Sequence, residues 1–114
     1  MLTFNSYGTE YKIKLQISSY ENGNFALCAT YYDEDYKYWG PYGTFTVNLD
    51  EKLPDDCAYV DTNNMPTIED WLKDNGLAEP LAKNRQSGFC MYPLYKFNIA
   101  KIRSIIAKQD NEDE

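Results

Sequence analysis

The alternation of apolar and polar residues predicts antiparallel β-structure in the first half of the chain. Residues 11–18 place apolar side chains at every second position, which is typical of a half-buried strand. Residues 21–24 then contain Asn-Gly, the strongest short hairpin signal, so residues 25–32 are expected to return as a neighbouring strand. That strand carries apolar groups on both faces, which indicates a central position in the sheet. Residues 44–49 alternate in the same way and predict another strand.

Less regular segments connect these strands. The acidic triplet at residues 33–35 marks a turn, and residues 36–39 are expected to extend the sheet briefly. Gly40-Pro41 should then break it, because proline cannot donate to a strand ladder. Residues 57–60 predict a short strand.

A first helix is expected to begin near Pro66, because the fixed φ of proline suits a first helical turn. Asn64 is the expected N-cap of this helix. The helix should stop at Asn75-Gly76-Leu77, where Gly76 can adopt the left-handed conformation and Leu77 can fold back.

The remaining segments predict a loop, a strand and a closing helix. Residues 78–86 are polar and are expected to form a loop, and residues 89–97 a last strand. Pro93 favours an edge or a bulge within that strand. Asn98 can cap the closing helix, whose apolar face is formed by four isoleucines. These are Ile99, Ile102, Ile105 and Ile106.

Together these elements predict an α+β fold: an antiparallel sheet of about five strands with two helices in a single domain. The 114 residues suit one domain, which we expect to span residues 1–109. Residues 110–114 carry four acids and are expected to form a disordered tail.

Charge and targeting signals narrow the possible partners. The net charge of −7 repels phosphate backbones, so we expect no direct nucleic-acid binding. No apolar run is long enough for a bilayer, and the first residues lack the basic and apolar segments of a signal peptide. A cytoplasmic location without membrane contact is therefore expected. The partner should be a protein with a basic surface, and the chain itself a monomer or a homodimer.

Residue types that carry catalysis are scarce. Histidine is absent, which removes the commonest general base and the commonest metal ligand. Three widely spaced cysteines fit neither a disulfide framework nor a zinc site. The oxygen-rich segment 61–64 lacks the spacing of a calcium loop, so turn formation and capping explain it more simply. We expect no cofactor, no metal and no catalytic residue, although an enzyme using Cys90 or a carboxylate pair stays an alternative.

The strongest functional signal is an aromatic stretch. Half of the positions in residues 31–42 are aromatic, and carboxylates interrupt them, so some rings must lie near water. Tyrosine and tryptophan are favoured strand residues, but they are also enriched where proteins bind each other. The alternative that these rings only support the strand stays open.

Three blocks in the second half of the chain carry a family resemblance. They are Cys57-Ala58-Tyr59-Val60-Asp61-Thr62-Asn63-Asn64, Asn75-Gly76-Leu77 and Ser87-Gly88-Phe89-Cys90-Met91-Tyr92-Pro93-Leu94-Tyr95-Lys96-Phe97-Asn98. They resemble an uncharacterised family, a domain of unknown function, of small acidic proteins carried on conjugative and other mobile elements of gut bacteria. The resemblance covers residues 44–100. It implies that the gene is carried on a mobile element, and it implies no particular activity. Small acidic proteins of such elements are often inhibitors of host defence, including anti-restriction and anti-CRISPR proteins.

The leading hypothesis is a non-enzymatic acidic binding protein that inhibits or regulates a nucleic-acid-handling host protein, with nucleic-acid mimicry as one form of it. An accessory or structural protein of a mobile element is the alternative from another class. The expected partner-binding residues are Asp33, Glu34, Asp35, Tyr36, Tyr38, Trp39, Tyr42, Asp50, Glu51, Asp55 and Asp56.

Overall fold

The computed structural model describes residues 2–112, which form eight strands and two helices. In chain order these are β1 (Leu2–Ser6), β2 (Thr9–Ser19), β3 (Phe25–Asp33), β4 (Tyr38–Thr44), β5 (Thr46–Val47), β6 (Cys57–Val60), α1 (Ile68–Asp74), β7 (Ala78–Ser87), β8 (Cys90–Phe97) and α2 (Ile99–Glu112). The strands build two antiparallel sheets of four, ordered β1-β2-β3-β4 and β5-β6-β8-β7. The α+β class with two helices is confirmed, while two sheets replace the expected single sheet of about five strands.

The first sheet (β1–β4) follows the alternation in the sequence. The expected hairpin between β2 and β3 is confirmed, and Ile13 lies opposite Tyr31 in its register. Ile13, Leu15 and Leu27 are fully buried on the inner face. This sheet therefore has one face on the core and one towards solvent, as the period of two requires.

The prediction that Gly40-Pro41 ends the strand is wrong, because β4 runs through both residues. Strand β4 is an edge of the first sheet, so it needs ladder partners on one side only and can hold a proline. A register shift between Ala29 and Thr30 lies beside Pro41 and relaxes the pairing there.

The single strand expected over residues 44–49 is divided between the two sheets. Strand β4 ends at Thr44 and β5 begins at Thr46, with a bend at Phe45. The Phe45 N–H donates to the Leu27 carbonyl at 2.8 Å, and its carbonyl accepts from Asp61 at 2.9 Å. Phe45 thus joins the two sheets, and its ring is buried between them.

The loop expected over residues 78–86 is strand β7, the edge of the second sheet (β5–β8). It pairs with β8 from Ala78–Phe97 to Ser87–Cys90, with an irregularity between Pro80 and Asn84. The β7 side chains are largely exposed, so the strand is held by backbone pairing and shows no apolar alternation. Strand β8 confirms the predicted last strand.

Helix α1 confirms one predicted end and corrects the other. The Leu77 N–H donates to the Leu72 carbonyl at 2.9 Å past Gly76 (φ +64), which is the predicted stop. The N-cap is Thr67 rather than Asn64. Asn64 instead donates its backbone and side-chain N–H groups to the Asp61 carboxylate at 3.1 and 2.9 Å. Segment 61–64 is therefore a turn held by its own side chains.

Helix α2 closes the fold against β2. Asn98 caps it as predicted, accepting from the Lys101 N–H at 3.1 Å, and Ile102 is fully buried. The helix runs to Glu112 and so reaches into the segment expected to form the tail. The last two residues of the predicted tail, 113 and 114, lie outside the described part of the chain.

One hydrophobic core receives residues from both sheets and both helices. A smaller cluster on the outer side of the second sheet is formed by Leu53, Cys57, Tyr59 and Leu94. No helix within residues 2–112 has the length and apolarity needed to cross a membrane.

Candidate functional site

The turn between β3 and β4 is fixed by Asp33. One oxygen of its carboxylate accepts from the backbone N–H groups of Asp35 at 2.9 Å and Tyr36 at 3.1 Å. Its carbonyl accepts from the Lys37 N–H at 2.7 Å, and Lys37 adopts a left-handed φ of 55°. Asp33 therefore orders the turn, which presents the next five residues to solvent.

Two exposed tyrosines project from this turn. Tyr36 is 78% exposed and Tyr38 is 53% exposed, and their ring centroids lie 6.5 Å apart. The Tyr38 ring lies against the backbone of Gly40, where a Cβ atom would be 3.3 Å from the Tyr38 Cε2. The strand thus supports one side of the Tyr38 ring while the other side faces solvent.

These rings continue into a row of half-buried tyrosines on the same face of the first sheet. Tyr11 and Tyr31 are 5.6 Å apart, and Tyr42 lies 5.2 Å from Tyr11 and 6.1 Å from Tyr31. Burial raises the pKa of Tyr31, and the nearby Asp33 and Tyr38 raise it further. We call this set the tyrosine surface: Tyr11, Tyr31, Tyr36, Tyr38 and Tyr42.

An aromatic cluster supports the tyrosine surface from inside. Phe4 lies 5.3 Å from Phe45, and Trp71 of α1 lies 5.2 Å from Phe4 and 5.3 Å from Phe45. Tyr42 contacts both phenylalanines, at 5.8 and 6.2 Å. Tyr42, expected as a partner-binding residue, therefore also joins the surface to the core.

Trp39, also expected as a partner-binding residue, points away from the tyrosine surface. Successive residues of a strand face opposite sides, so Trp39 and Tyr38 lie on different faces of β4. The Trp39 ring is half-buried, packs 5.4 Å from Tyr32, and has the Lys14 ammonium 4.2 Å from its centroid. Lys14 therefore makes a cation–π contact with one face of the Trp39 ring.

The structure separates the expected acidic residues into two groups. Asp33, Glu34 and Asp35 lie at the end of β3, beside Tyr36. The loop that carries residues 50–56 lies at its start, where the Asn24 side chain donates to the Glu51 carbonyl at 2.6 Å. Nine residues of strand separate the groups by about 26 Å, so they do not form one continuous patch.

Within the second group, Glu51 is held by the protein itself. Its carboxylate accepts from the Tyr59 hydroxyl, from Lys83 and from Arg85, each at 3.0 Å. The hydrogen bond from Lys83, followed by that from Tyr59, lowers the pKa of Glu51. This Glu51 clamp ties the loop to β7. Asp50 and Asp55 are exposed, whereas Asp56 is half-buried.

The Glu51 clamp makes stability depend on pH. A carboxylate whose pKa is lowered on folding stabilises the fold above its ordinary pKa, near 4.5, and loses that contribution as pH falls through the lowered value. Glu51→Gln should therefore unfold at a lower temperature than the wild type at neutral pH, and the difference should vanish in strong acid. Thermal unfolding from pH 2 to 7 measures this, with Glu79→Gln on β7 as the control for lost charge. A difference that persists undiminished at the lowest pH contradicts the clamp.

The residues considered for catalysis or metal binding are not brought together. Cys57 is buried, and burial raises the pKa of its thiol, which disfavours the reactive thiolate. Cys90 is half-buried on the β7–β8 hairpin. Among residues 2–112, no three side chains of the types His, Cys, Asp and Glu form a group that could hold a metal ion.

Two parts of the surface could not be predicted from the sequence. The sequence places Tyr11 and Tyr31 on strands, and only the fold shows that both are partly exposed and that Tyr31 lies near Tyr38. Phe89 was assigned to the last strand, yet it lies at the tip of a hairpin and is fully exposed. Gly88 directly before it is the one local signal for that turn.

A protein-family model matches this chain, whereas comparisons with curated proteins and with solved structures give no match. The match is to the family described as "Domain of unknown function (DUF4313)" and covers residues 14–112. It therefore includes most of β2 and every later element of the fold. Because that range is most of the chain, this protein belongs to the DUF4313 family.

Proposed function

We propose that this protein is a non-enzymatic acidic binding protein that inhibits or regulates a nucleic-acid-handling host protein in the cytoplasm. The observation that carries the proposal is the ordered β3–β4 turn, which presents two exposed tyrosines beside carboxylates. The resemblance to small acidic proteins of mobile elements supports an anti-restriction or anti-CRISPR type of role, by association only.

The chemistry of this turn suits a basic protein surface. Tyrosine buries a large area with few rotatable bonds, so Tyr36 and Tyr38 can act as anchors at small entropic cost. Their ring faces attract lysine and arginine, and the carboxylates of Glu34 and Asp35 add charge complementarity. Glu34 makes an exposed ion pair with Lys12 at 3.5 Å, which a partner's arginine can replace.

The placement of the acids favours a local contact over mimicry of a phosphate backbone. The second acidic group lies about 26 Å away and includes Glu51, whose negative charge is paired with Lys83 and Arg85. The partner contact that we propose is therefore narrower than the sequence suggested. It consists of Asp33 to Tyr38, with Tyr11 and Tyr31 beside them.

Removing the two anchor rings should weaken capture of the partner. In a pull-down from host lysate at low salt, Tyr36→Ala/Tyr38→Ala should retain a basic nucleic-acid-binding protein at least about 30-fold more weakly than the wild type. Tyr36→Phe/Tyr38→Phe keeps both rings and should retain most of the capture. Thermal unfolding should be nearly unchanged, because Tyr36 lies outside the core and Tyr38 is half-exposed.

Charge variants test the electrostatic part of the same contact. Glu34→Gln/Asp35→Asn should weaken capture and reduce its salt dependence, because these carboxylates face the partner. The control Glu21→Gln/Asp74→Asn removes the same charge from exposed positions in the β2–β3 turn and on α1. If both double variants weaken capture equally, net charge rather than this turn carries the binding. Recovery of no basic protein at low salt contradicts the proposed function.

A further inference from the structure

The β7–β8 hairpin ends in a tight, uncharged turn. Ser87 lies opposite Cys90, and the two residues between them form the turn. Gly88 occupies the first central position with φ +62, which is the glycine position of a type II′ turn. The Gln86 side-chain amide donates to the Gly88 carbonyl at 3.3 Å and braces the turn.

This tip extends beyond the body of the second sheet. Strand β6 pairs with β8 only from Leu94 to Lys96, so the start of β8 is paired with β7 alone. The hairpin therefore projects as a two-stranded ribbon over its last residues.

Phe89 at the tip is fully exposed, and Met91 on the same ribbon is 54% exposed. A large apolar side chain in this position gains nothing from the core, since it buries no area on folding. No residue from 86 to 95 carries a charge, although a quarter of the chain is charged. The tip is thus apolar and uncharged, in contrast to the acidic turn between β3 and β4.

We propose that the β7–β8 tip is a second docking point, at which Phe89 inserts into an apolar pocket of a protein partner. Exposed aromatic anchors that fill a partner's pocket are the usual centre of a protein interface. The absence of charge from 86 to 95 matches an apolar pocket and not a basic groove. This docking point is separate from the tyrosine surface, which belongs to the first sheet.

Two other occupants are disfavoured by the residues around the tip. Lys83 and Arg85 could attract anionic lipid, but both are paired with Glu51, and the whole chain carries −7. A second copy could pair along the β7 edge, but Pro80 and the left-handed Ala82 interrupt that edge. Such interruptions protect an edge strand from pairing with another chain.

Photo-crosslinking from position 89 tests the proposal. The full chain carrying benzoylphenylalanine in place of Phe89 is irradiated in host lysate, with the same group in place of the exposed Tyr7 as the control. We expect one discrete protein adduct from position 89 that position 7 does not give. That protein, identified and purified, should bind Phe89→Ala on the order of 30-fold more weakly than the wild type. Phe89→Leu should lose less.

Several outcomes overturn the proposal. These are no discrete adduct, an adduct of twice the chain's own mass, or a purified partner whose affinity is unchanged in Phe89→Ala. Binding of the wild type, but not of Phe89→Ala, to phosphatidylcholine–phosphatidylglycerol vesicles would assign the tip to a membrane instead. Phe89→Ala should fold as the wild type does, and an equal thermal midpoint checks this. Loss of binding in Tyr36→Ala/Tyr38→Ala alone would leave the acidic turn as the docking site and contradict a role for Phe89.

Discussion

Trp71→Ala is expected to lower the free energy of unfolding by about 3 kcal/mol, measured by urea denaturation. Trp71 packs against Phe4 and Phe45, and its indole N–H donates to the Thr3 carbonyl at 2.7 Å. The substitution removes both ring contacts and this hydrogen bond. Because the same cluster supports Tyr42, the loss should also loosen the tyrosine surface.

Trp71→Phe is the matched variant for this prediction. It keeps an aromatic ring between Phe4 and Phe45 but cannot donate to Thr3, so we expect a smaller loss of about 1–2 kcal/mol. The difference between the two variants separates packing from hydrogen bonding. An alanine variant as stable as the wild type would show that α1 does not support the first sheet.

Gln109→Met is expected to cost about 2–4 kcal/mol, although methionine is similar in size and favours helices. Strand β1 pairs with β2 only as far as Ile13, and Gln109 of α2 takes its place beside Leu15. The Gln109 Oε1 accepts from the Leu15 N–H at 3.0 Å, and its Nε2 donates to the Leu15 carbonyl at 2.8 Å. Both backbone groups are buried and lose their partner in the variant.

Lys108→Met is the control for this second prediction, since it places the same residue at the exposed neighbouring position of α2. It should leave stability nearly unchanged. Amide hydrogen exchange gives a local measurement: the Leu15 amide should exchange faster in Gln109→Met than in Lys108→Met. Equal protection of Leu15 in both variants would contradict the role of Gln109 as the closing group of this edge.

Local signals in the sequence located several turns and caps, although not the N-cap of α1. The Asn-Gly turn, the stop at Gly76 and the cap at Asn98 each depend on a few neighbouring residues, and all three are present. Strand β7 gave no such signal, because its side chains are exposed and its partner β8 supplies the backbone hydrogen bonds. The sequence also did not predict that the strand over residues 44–49 is divided at Phe45, because the same alternation of apolar and polar residues fits one sheet or two.

The candidate site was predicted in part. The aromatic stretch in the sequence includes Tyr36, Tyr38 and Tyr42 alike. Only the structure shows that Tyr36 and Tyr38 are exposed, whereas Tyr42 packs against Phe4 and Phe45. Glu51 looked like a free acid because its partners Lys83 and Arg85 lie 32 and 34 residues further along the chain. Contacts of that separation follow from the fold, and no local pattern reveals them.

The proposed partner contact requires that the β3–β4 turn binds cationic protein groups. A nuclear magnetic resonance titration of the labelled chain with a synthetic arginine-rich peptide at low ionic strength measures this directly. We predict shifts concentrated at residues 33–38 and at Tyr11 and Tyr31, reversed by high salt and lost in Tyr36→Ala/Tyr38→Ala. Shifts centred on residues 50–56, or none at this turn, would contradict the proposed contact.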